Sequence, residues 1–275
     1  DLDGTLLRSD ASVSDFTTEV LTRGLSEGHI ISFATARSYV SAKPLVGRIP
    51  WSAPIILYNG ALILDPQTEQ VICGQFLSLG IANQVLNLGR QFGQVPLVFG
   101  LDVEGTQRVW HENLQNEGQR QFAASRQGDP RFRISEHVHM VDGDKTMMLT
   151  YIAREEELLS LKDAIFAGFA DDVHIHFTRD TYLRDYFFLE ISHPRANKEV
   201  ALQTWSELVG CSPRDITVFG DNLNDVGLFL GGGTRVAVAN AHEELKGLAD
   251  IVVGMNDEDG VGHYINSELK IGVKR

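Results

Sequence analysis

Cysteine is scarce in this chain of 275 residues: there are two, Cys73 and Cys211, far apart in sequence. Such a pair makes no disulfide framework, and a reducing cytoplasm is the expected setting. Long apolar runs are missing too. The longest, such as Ile55-Ile56-Leu57-Tyr58, fall far short of a bilayer span. Basic residues are outnumbered, 24 Lys and Arg against 37 Asp and Glu, for a net charge of −13. That balance disfavours nucleic acid and anionic membrane as partners. Any phosphate site must therefore be built locally, against the global field. The chain contains neither G-x-G-x-x-G nor G-x-x-x-x-G-K-[ST], so the marks of NAD- and ATP-binding α/β proteins are absent. The sequence opens on Asp1, an upstream segment is expected before it, and a signal peptide there stays open.

What is present reads as a globular protein long enough for two domains. Near the start, Phe16, Val20, Leu21 and Leu25 recur at helical spacing, followed by apolar runs at 30–34 and 55–58. Late in the chain, apolar runs at 216–219, 236–238 and 251–253 alternate with helical stretches at 199–209, 223–230 and 241–248. Apolar strands alternating with helices imply βαβ units and a parallel sheet buried on both faces. The middle differs. Its strands read as more amphipathic, as at 106–110, and helices show apolar faces at Ile81, Val85, Leu88, Phe92 and at Leu158, Leu161, Ile165. The expected fold class is α/β: a Rossmann-like parallel-sheet core, residues 1–61 and 192–275, with an inserted α+β cap, residues 62–191. The crossings are expected at Asn59-Gly60-Ala61 and Ser192-His193-Pro194.

Asp1-Leu2-Asp3-Gly4-Thr5 is the most informative stretch. In an extended strand, residues i and i+2 share a side, so Asp1 and Asp3 would lie together before the Gly4-Thr5 turn. Two carboxylates so placed repel unless a cation or proton relieves them, and an all-oxygen cluster favours a hard ion such as Mg²⁺. An Asx turn with two solvated acids fits the same residues. Gly220-Asp221-Asn222-Leu223-Asn224-Asp225 follows the apolar run 216–219 and sits at another strand's carboxyl end. There Asp221 could join the first acidic pocket, or Asn222 and Asp225 could simply cap a helix. Thr35-Ala36-Arg37 offers a hydroxyl and backbone N–H groups to a phosphate, or plain helix capping. Lys198, at the start of a predicted helix, opposes the helix dipole. Its position suits pairing with carboxylates and a phosphoryl group, or plain solvation.

With these stretches in view, the chain resembles the haloacid dehalogenase-like phosphatases, in their Cof-type branch. The likeness rests on Asp1 to Leu6, Thr35-Ala36-Arg37, Asn59-Gly60-Ala61, Asn197-Lys198-Glu199-Val200-Ala201-Leu202 and Gly220 to Asp225, and continues in the tail at 236–241, Lys246 and 256–261. It implies Asp1 as nucleophile, Asp3 as general acid and base, and Lys198 as a third catalytic group. Thr35, Ala36, Lys198 and Asn224 would hold the phosphoryl group. Asp1, Asp3 (through its backbone carbonyl) and Asp221 would hold Mg²⁺, with Asn224 and Asp225 supporting that site. The cap would exclude water and choose the substrate, with Arg184, His174 and His176 in reach of a sugar hydroxyl or a second phosphate. Solvated or core-satisfied side chains are the alternative for each of these three. The chain departs from the family pattern at Ala36 and Glu199, where Gly is usual. The acid of Glu199 beside Lys198 is expected to weaken phosphate binding. The implied activity is Mg²⁺-dependent hydrolysis of a small phosphorylated metabolite, a sugar or nucleotide phosphate, through an aspartyl-phosphate. A phosphomutase on the same chemistry and a non-catalytic phosphometabolite-binding protein are the alternatives.

Overall fold

A computed structural model describes residues 1–179 and 185–272 of the chain. The chain divides into two compact units, Asp1–Gly74 with Asn197–Arg275, and Gln75–Ala196. In the first unit Leu2–Leu6 forms a wide turn closed by the Leu7 N–H donating to Leu2 O at 2.8 Å. Helix α1 (Asp15–Ser26) follows, capped by the Ser14 hydroxyl, which accepts from Thr17 N. Next come α2 (Tyr39–Val46), β1 (Ile55–Leu57), β2 (Leu62–Leu64) and β3 (Val71–Gly74). β1, β2 and β3 form an antiparallel meander.

The second unit contains α3 (Leu79–Gln91), β4 (Leu97–Leu101), β5 (Gln107–His111), α4 (Glu117–Ala124), β6 (Phe132–Ile134), β7 (Lys145–Ala153), α5 (Glu155–Phe169), β8 (His174–Arg179) and β9 (Phe187–Ser192). Its sheet runs β6-β5-β4-β7-β9-β8. One face carries Leu149, Tyr151, Leu189 and Ile191, which pack with Val85 of α3 and Leu158, Leu161 and Ile165 of α5. β4 is buried at every position, because helices or aromatic side chains cover it on both sides, so the amphipathic pattern expected of the middle strands fails there.

The chain returns to the first unit with α6 (Lys198–Val209), β10 (Thr217–Gly220), α7 (Val226–Gly231), β11 (Thr234–Val238), α8 (Glu243–Leu248), β12 (Ile251–Val253) and α9 (Gly260–Gly272). β10, β11 and β12 are parallel. α6 buries Ala201, Leu202 and Trp205 against Ile56, Val218 and Phe229, and the Trp205 indole donates to Pro54 O at 2.5 Å. Each such large apolar side chain stabilises the unit by about 1.5–3 kcal/mol.

Three expectations change. The division falls after Gly74 and before Asn197, not at 61/62 and 191/192: β2 and β3 hydrogen-bond onto β1, and Ser192 closes β9 in the other sheet. Residues 30–34 form no strand ladder. Ala34 alone bridges Ile56, with the Ile56 N–H donating to Phe33 O at 3.0 Å and the Thr35 N–H to Ile56 O at 2.9 Å. Asp1 and Asp3 sit at the head of the wide turn and not in a paired strand, since Gly4 takes φ +74° and bends the chain at once. Among the described residues no helix is long and apolar enough to cross a membrane.

Candidate active site

Asp1 is aligned with β10 by its backbone nitrogen, which donates to Phe219 O at 3.0 Å. β10 ends at Gly220, and the loop after it delivers Asp221 and, through a single 3₁₀ turn, Asp225. Two acidic stretches more than two hundred residues apart thus meet at one end of a strand, where open α/β sheets place their ligands. Carboxylate oxygens of Asp1, Asp221 and Asp225 all lie within 4.8 Å of one another.

Lys198 reaches the same point from the first turn of α6. Asn197 caps that helix by accepting from Val200 N at 2.9 Å. The turn Tyr58–Gly60 seats the cap: Gly60 has φ +101°, and a Cβ there would collide with Asn197 O. The Lys198 ammonium donates to Asp1 Oδ1 at 2.7 Å and to Asp225 Oδ1 at 2.6 Å. Its side chain is fully buried, as is that of Asp225, and Asp1 is 6% exposed. The ammonium is engaged by these two carboxylates, and no ion pair with Glu199 forms among the described residues. Asp225 Oδ2 also accepts from the backbone N–H groups of Asp221, at 3.0 Å, and Asn222, at 3.4 Å.

Asp221 is the less satisfied acid. Its Oδ1 accepts from the Thr5 hydroxyl at 3.0 Å, yet burial first, and the Asp225 charge second, push its carboxyl above the ordinary value. Three convergent carboxylates with one ammonium between them leave negative charge to be relieved. An all-oxygen donor set of this kind fits a hard divalent cation such as Mg²⁺.

Asp3 turns elsewhere. Its carboxylate is half-exposed and takes a forked pair from Arg37, Nε to Oδ2 at 2.7 Å and Nη2 to Oδ1 at 2.5 Å. The Asp3 side chain therefore stands outside the carboxylate cluster, because Gly4 turns the chain directly after it. Thr35 is buried and its hydroxyl accepts from Arg37 N at 3.1 Å. Neither Thr35 nor exposed Ala36 caps a helix. α2 starts only at Tyr39, capped by Ser38, so the expected helix-start cradle is a bend. Asn224 is exposed and donates to Asn59 Oδ1 at 3.2 Å. His174 and His176 are exposed on β8, and Arg184 lies outside the described residues.

Three supporting residues escaped the sequence reading: Thr5, Arg37 and Asn240, whose amide donates to Gly4 O at 2.8 Å. All three lie inside or beside the quoted motifs. Their side chains act across long sequence separations that no local pattern encodes.

Comparisons with known proteins cover nearly the whole chain. The family model described as haloacid dehalogenase-like hydrolase matches residues 1–265. The 5-amino-6-(5-phospho-D-ribitylamino)uracil phosphatase YitU of Bacillus subtilis is 27% identical over 98% of this chain and 96% of its own length. The pyridoxal phosphate phosphatase YbhA of Escherichia coli is 24% identical over 98% and 97%. Among solved structures, a haloacid dehalogenase-like hydrolase from Bacteroides thetaiotaomicron shares the fold at TM-score 0.79 and 20% identity, over 98% of this chain and 97% of that one. The chain belongs to the haloacid dehalogenase-like hydrolases.

Proposed function

We propose that this chain is a Mg²⁺-dependent phosphatase of small phosphorylated metabolites, sugar or nucleotide phosphates, working through an aspartyl-phosphate on Asp1. The observation that carries this reading is the buried Lys198 ammonium bridging Asp1 and Asp225 beside Asp221. A carboxylate attacks a phosphate dianion only where cations cancel their mutual repulsion. Asp1, Asp221 and the backbone carbonyl of Asp3 would hold the metal, with Asp225 fixing Lys198 beneath it. Bound Mg²⁺ supplies charge neutralisation between the Asp1 carboxylate and the phosphoryl oxygens.

Lys198 grips Oδ1 of Asp1 and so orients that carboxylate for attack on phosphorus. As the Asp1 oxygen bonds to phosphorus, the ester P–O bond breaks and the Asp3 carboxyl gives its proton to the departing oxygen. Asp3, now a carboxylate, takes a proton from water. The resulting hydroxide attacks the same phosphorus, phosphate leaves, and Asp1 is restored. Both Asp3 oxygens accept from Arg37 in the structure, so Asp3 would have to leave this fork to carry the proton. Thr35, the Ala36 N–H, Lys198 and Asn224 would hold the phosphoryl oxygens. The second unit, Gln75–Ala196, would choose the substrate.

The test is phosphate release from a panel of sugar, polyol and nucleotide phosphates, with Mg²⁺ and with EDTA, on the protein and on Asp1→Asn. Mg²⁺-dependent release that Asp1→Asn abolishes supports the reading. Release that survives the substitution removes Asp1 as nucleophile. Retention of the phosphoryl group, with transfer to a second substrate hydroxyl, would replace the hydrolase by a mutase.

A further inference from the structure

The tail stretches at 236–241 and 256–261 have no part in the proposed reaction, yet the fold brings both to the wide turn Leu2–Leu6. Asn240, in the loop after β11, donates its amide to Gly4 O at 2.8 Å. The same side chain accepts at 2.9 Å from the N–H of Asn256, in the loop after β12. The Asn256 side chain is buried, and its amide donates to Leu7 O at 2.9 Å. Two asparagines thus link to each other and grip the turn at two points. One point is a single peptide after Asp3 O, and the other lies at the end of the turn.

The turn needs such a grip. Gly4 has φ +74°, a conformation that favours glycine, and glycine loses the most freedom when a chain becomes ordered. The Leu7 N–H to Leu2 O bond closes the turn at its ends and leaves the peptides between them to pivot about Gly4. Where these peptides stand matters to Asp221. Gly4 lies so close to it that a Cβ would come within 2.3 Å of Oδ2, and the Thr5 hydroxyl donates to Oδ1 at 3.0 Å. The loop after β11 holds the Asp221 side as well, because the His242 N–H donates to Asp221 O at 2.7 Å. Asn240 and His242 are two residues apart. One short loop therefore sets the separation between the turn and the Asp221 loop. Asparagine suits this place because its amide donates and accepts at once. Aspartate could not donate to Gly4 O and would add a carboxylate beside the turn.

We propose that Asn240, braced by Asn256, is a positioning residue for the divalent cation: it fixes the turn that carries the Asp3 main chain relative to the loop that carries Asp221. The proposal rests on the metal reading given above and adds to it two residues outside the ligand set.

The test is Mg²⁺ affinity, read from the rise in melting temperature as Mg²⁺ is added after EDTA, with no turnover needed. Asn240→Ala should weaken that affinity by about tenfold, a loss typical of residues that orient metal ligands. Asn256→Ala should weaken it too. Half-maximal phosphate release by Asn240→Ala should need about ten times more Mg²⁺ than the unsubstituted protein. Asn83 of α3 is the matched control. It holds Met140 through the same kind of amide pair, donating to Met140 O and accepting from Met140 N–H, both at 2.9 Å, inside the second unit. Asn83→Ala should lower the metal-free melting temperature and leave Mg²⁺ affinity unchanged. Unchanged affinity in Asn240→Ala overturns the proposal, as does an equal loss in Asn83→Ala. Asn240 is exposed, so its variant decides the matter even where Asn256→Ala fails to fold. Indifference of the unsubstituted protein to Mg²⁺ sinks the metal reading and this proposal together. A response there that Asn240→Ala shares in full sinks this proposal alone.

Discussion

Lys198 and Asp225 form an ion pair at 2.6 Å in which neither side chain has any solvent exposure. Such a pair is held by its geometry, and removing one member strands the other charge in a low-dielectric interior. Asp225→Ala should destabilise the protein by about 3–5 kcal/mol in urea unfolding. Lys198→Met combined with Asp225→Leu should recover part of that loss, since both charges leave together. Neither protein should release phosphate. Additive losses in the double variant would show that the pair is not coupled.

Gly4 separates two effects of a side chain. Its φ is +74°, and a Cβ there would collide with the Asp221 carboxylate. Gly28 has φ +89° with open space around it. Gly28→Ala should cost about 1 kcal/mol of backbone strain and leave activity intact. Gly4→Ala should cost more and also displace Asp221, weakening Mg²⁺ dependence of activity by at least about tenfold in affinity. Comparing melting curves with the Mg²⁺ concentration needed for half-maximal phosphate release checks both statements.

Much of the first unit could be read from the chain. The helix at 199–209 and the strands at 236–238 and 251–253 stand within a residue or two of α6, β11 and β12, because periodicity and capping agree there. The sequence left open whether Asp221 joins Asp1 or merely helps to cap a helix, and the structure brings their carboxylates together. The Asp3–Arg37 fork did not, since the turn at Gly4 decides where Asp3 points and no periodicity reports it. Residues 30–34 have a strand's composition, yet Ala34 alone bridges a neighbour, Ile56, and composition says nothing of neighbours.

Metal binding should be readable without turnover. A cation that binds the folded protein alone raises stability by about 2.7 kcal/mol at a hundredfold excess over its Kd. Adding Mg²⁺ after EDTA should therefore raise the melting temperature. Asp221→Ala should abolish that rise, because this acid has only the Thr5 hydroxyl on its side chain. Asp3→Asn should keep most of the rise, because its carboxylate faces Arg37 and contributes only its main chain to the proposed ligand set. It should nonetheless stop phosphate release. A melting temperature indifferent to Mg²⁺ in the unsubstituted protein would remove the metal assignment.

Glu190 should set a pH dependence of stability that can be isolated by subtraction. Its carboxyl titrates at 4.5 in an unfolded chain and is pushed up to about 7 by burial in the fold. A raised acid favours the folded state while it stays protonated. Its contribution is present below pH 4.5 and is lost as pH rises toward about 7, where the buried group must ionise. Glu190→Gln keeps the shape and cannot ionise. The melting temperature of Glu190→Gln relative to the parent should therefore climb between these two pH values and level off above the upper one. His176, which pairs with Glu190 across β8 and β9, and His174 are present in both proteins, as are the carboxylates around Lys198, so their titration cancels in the difference. A flat difference from pH 4 to pH 9 would mean that Glu190 ionises freely in the fold.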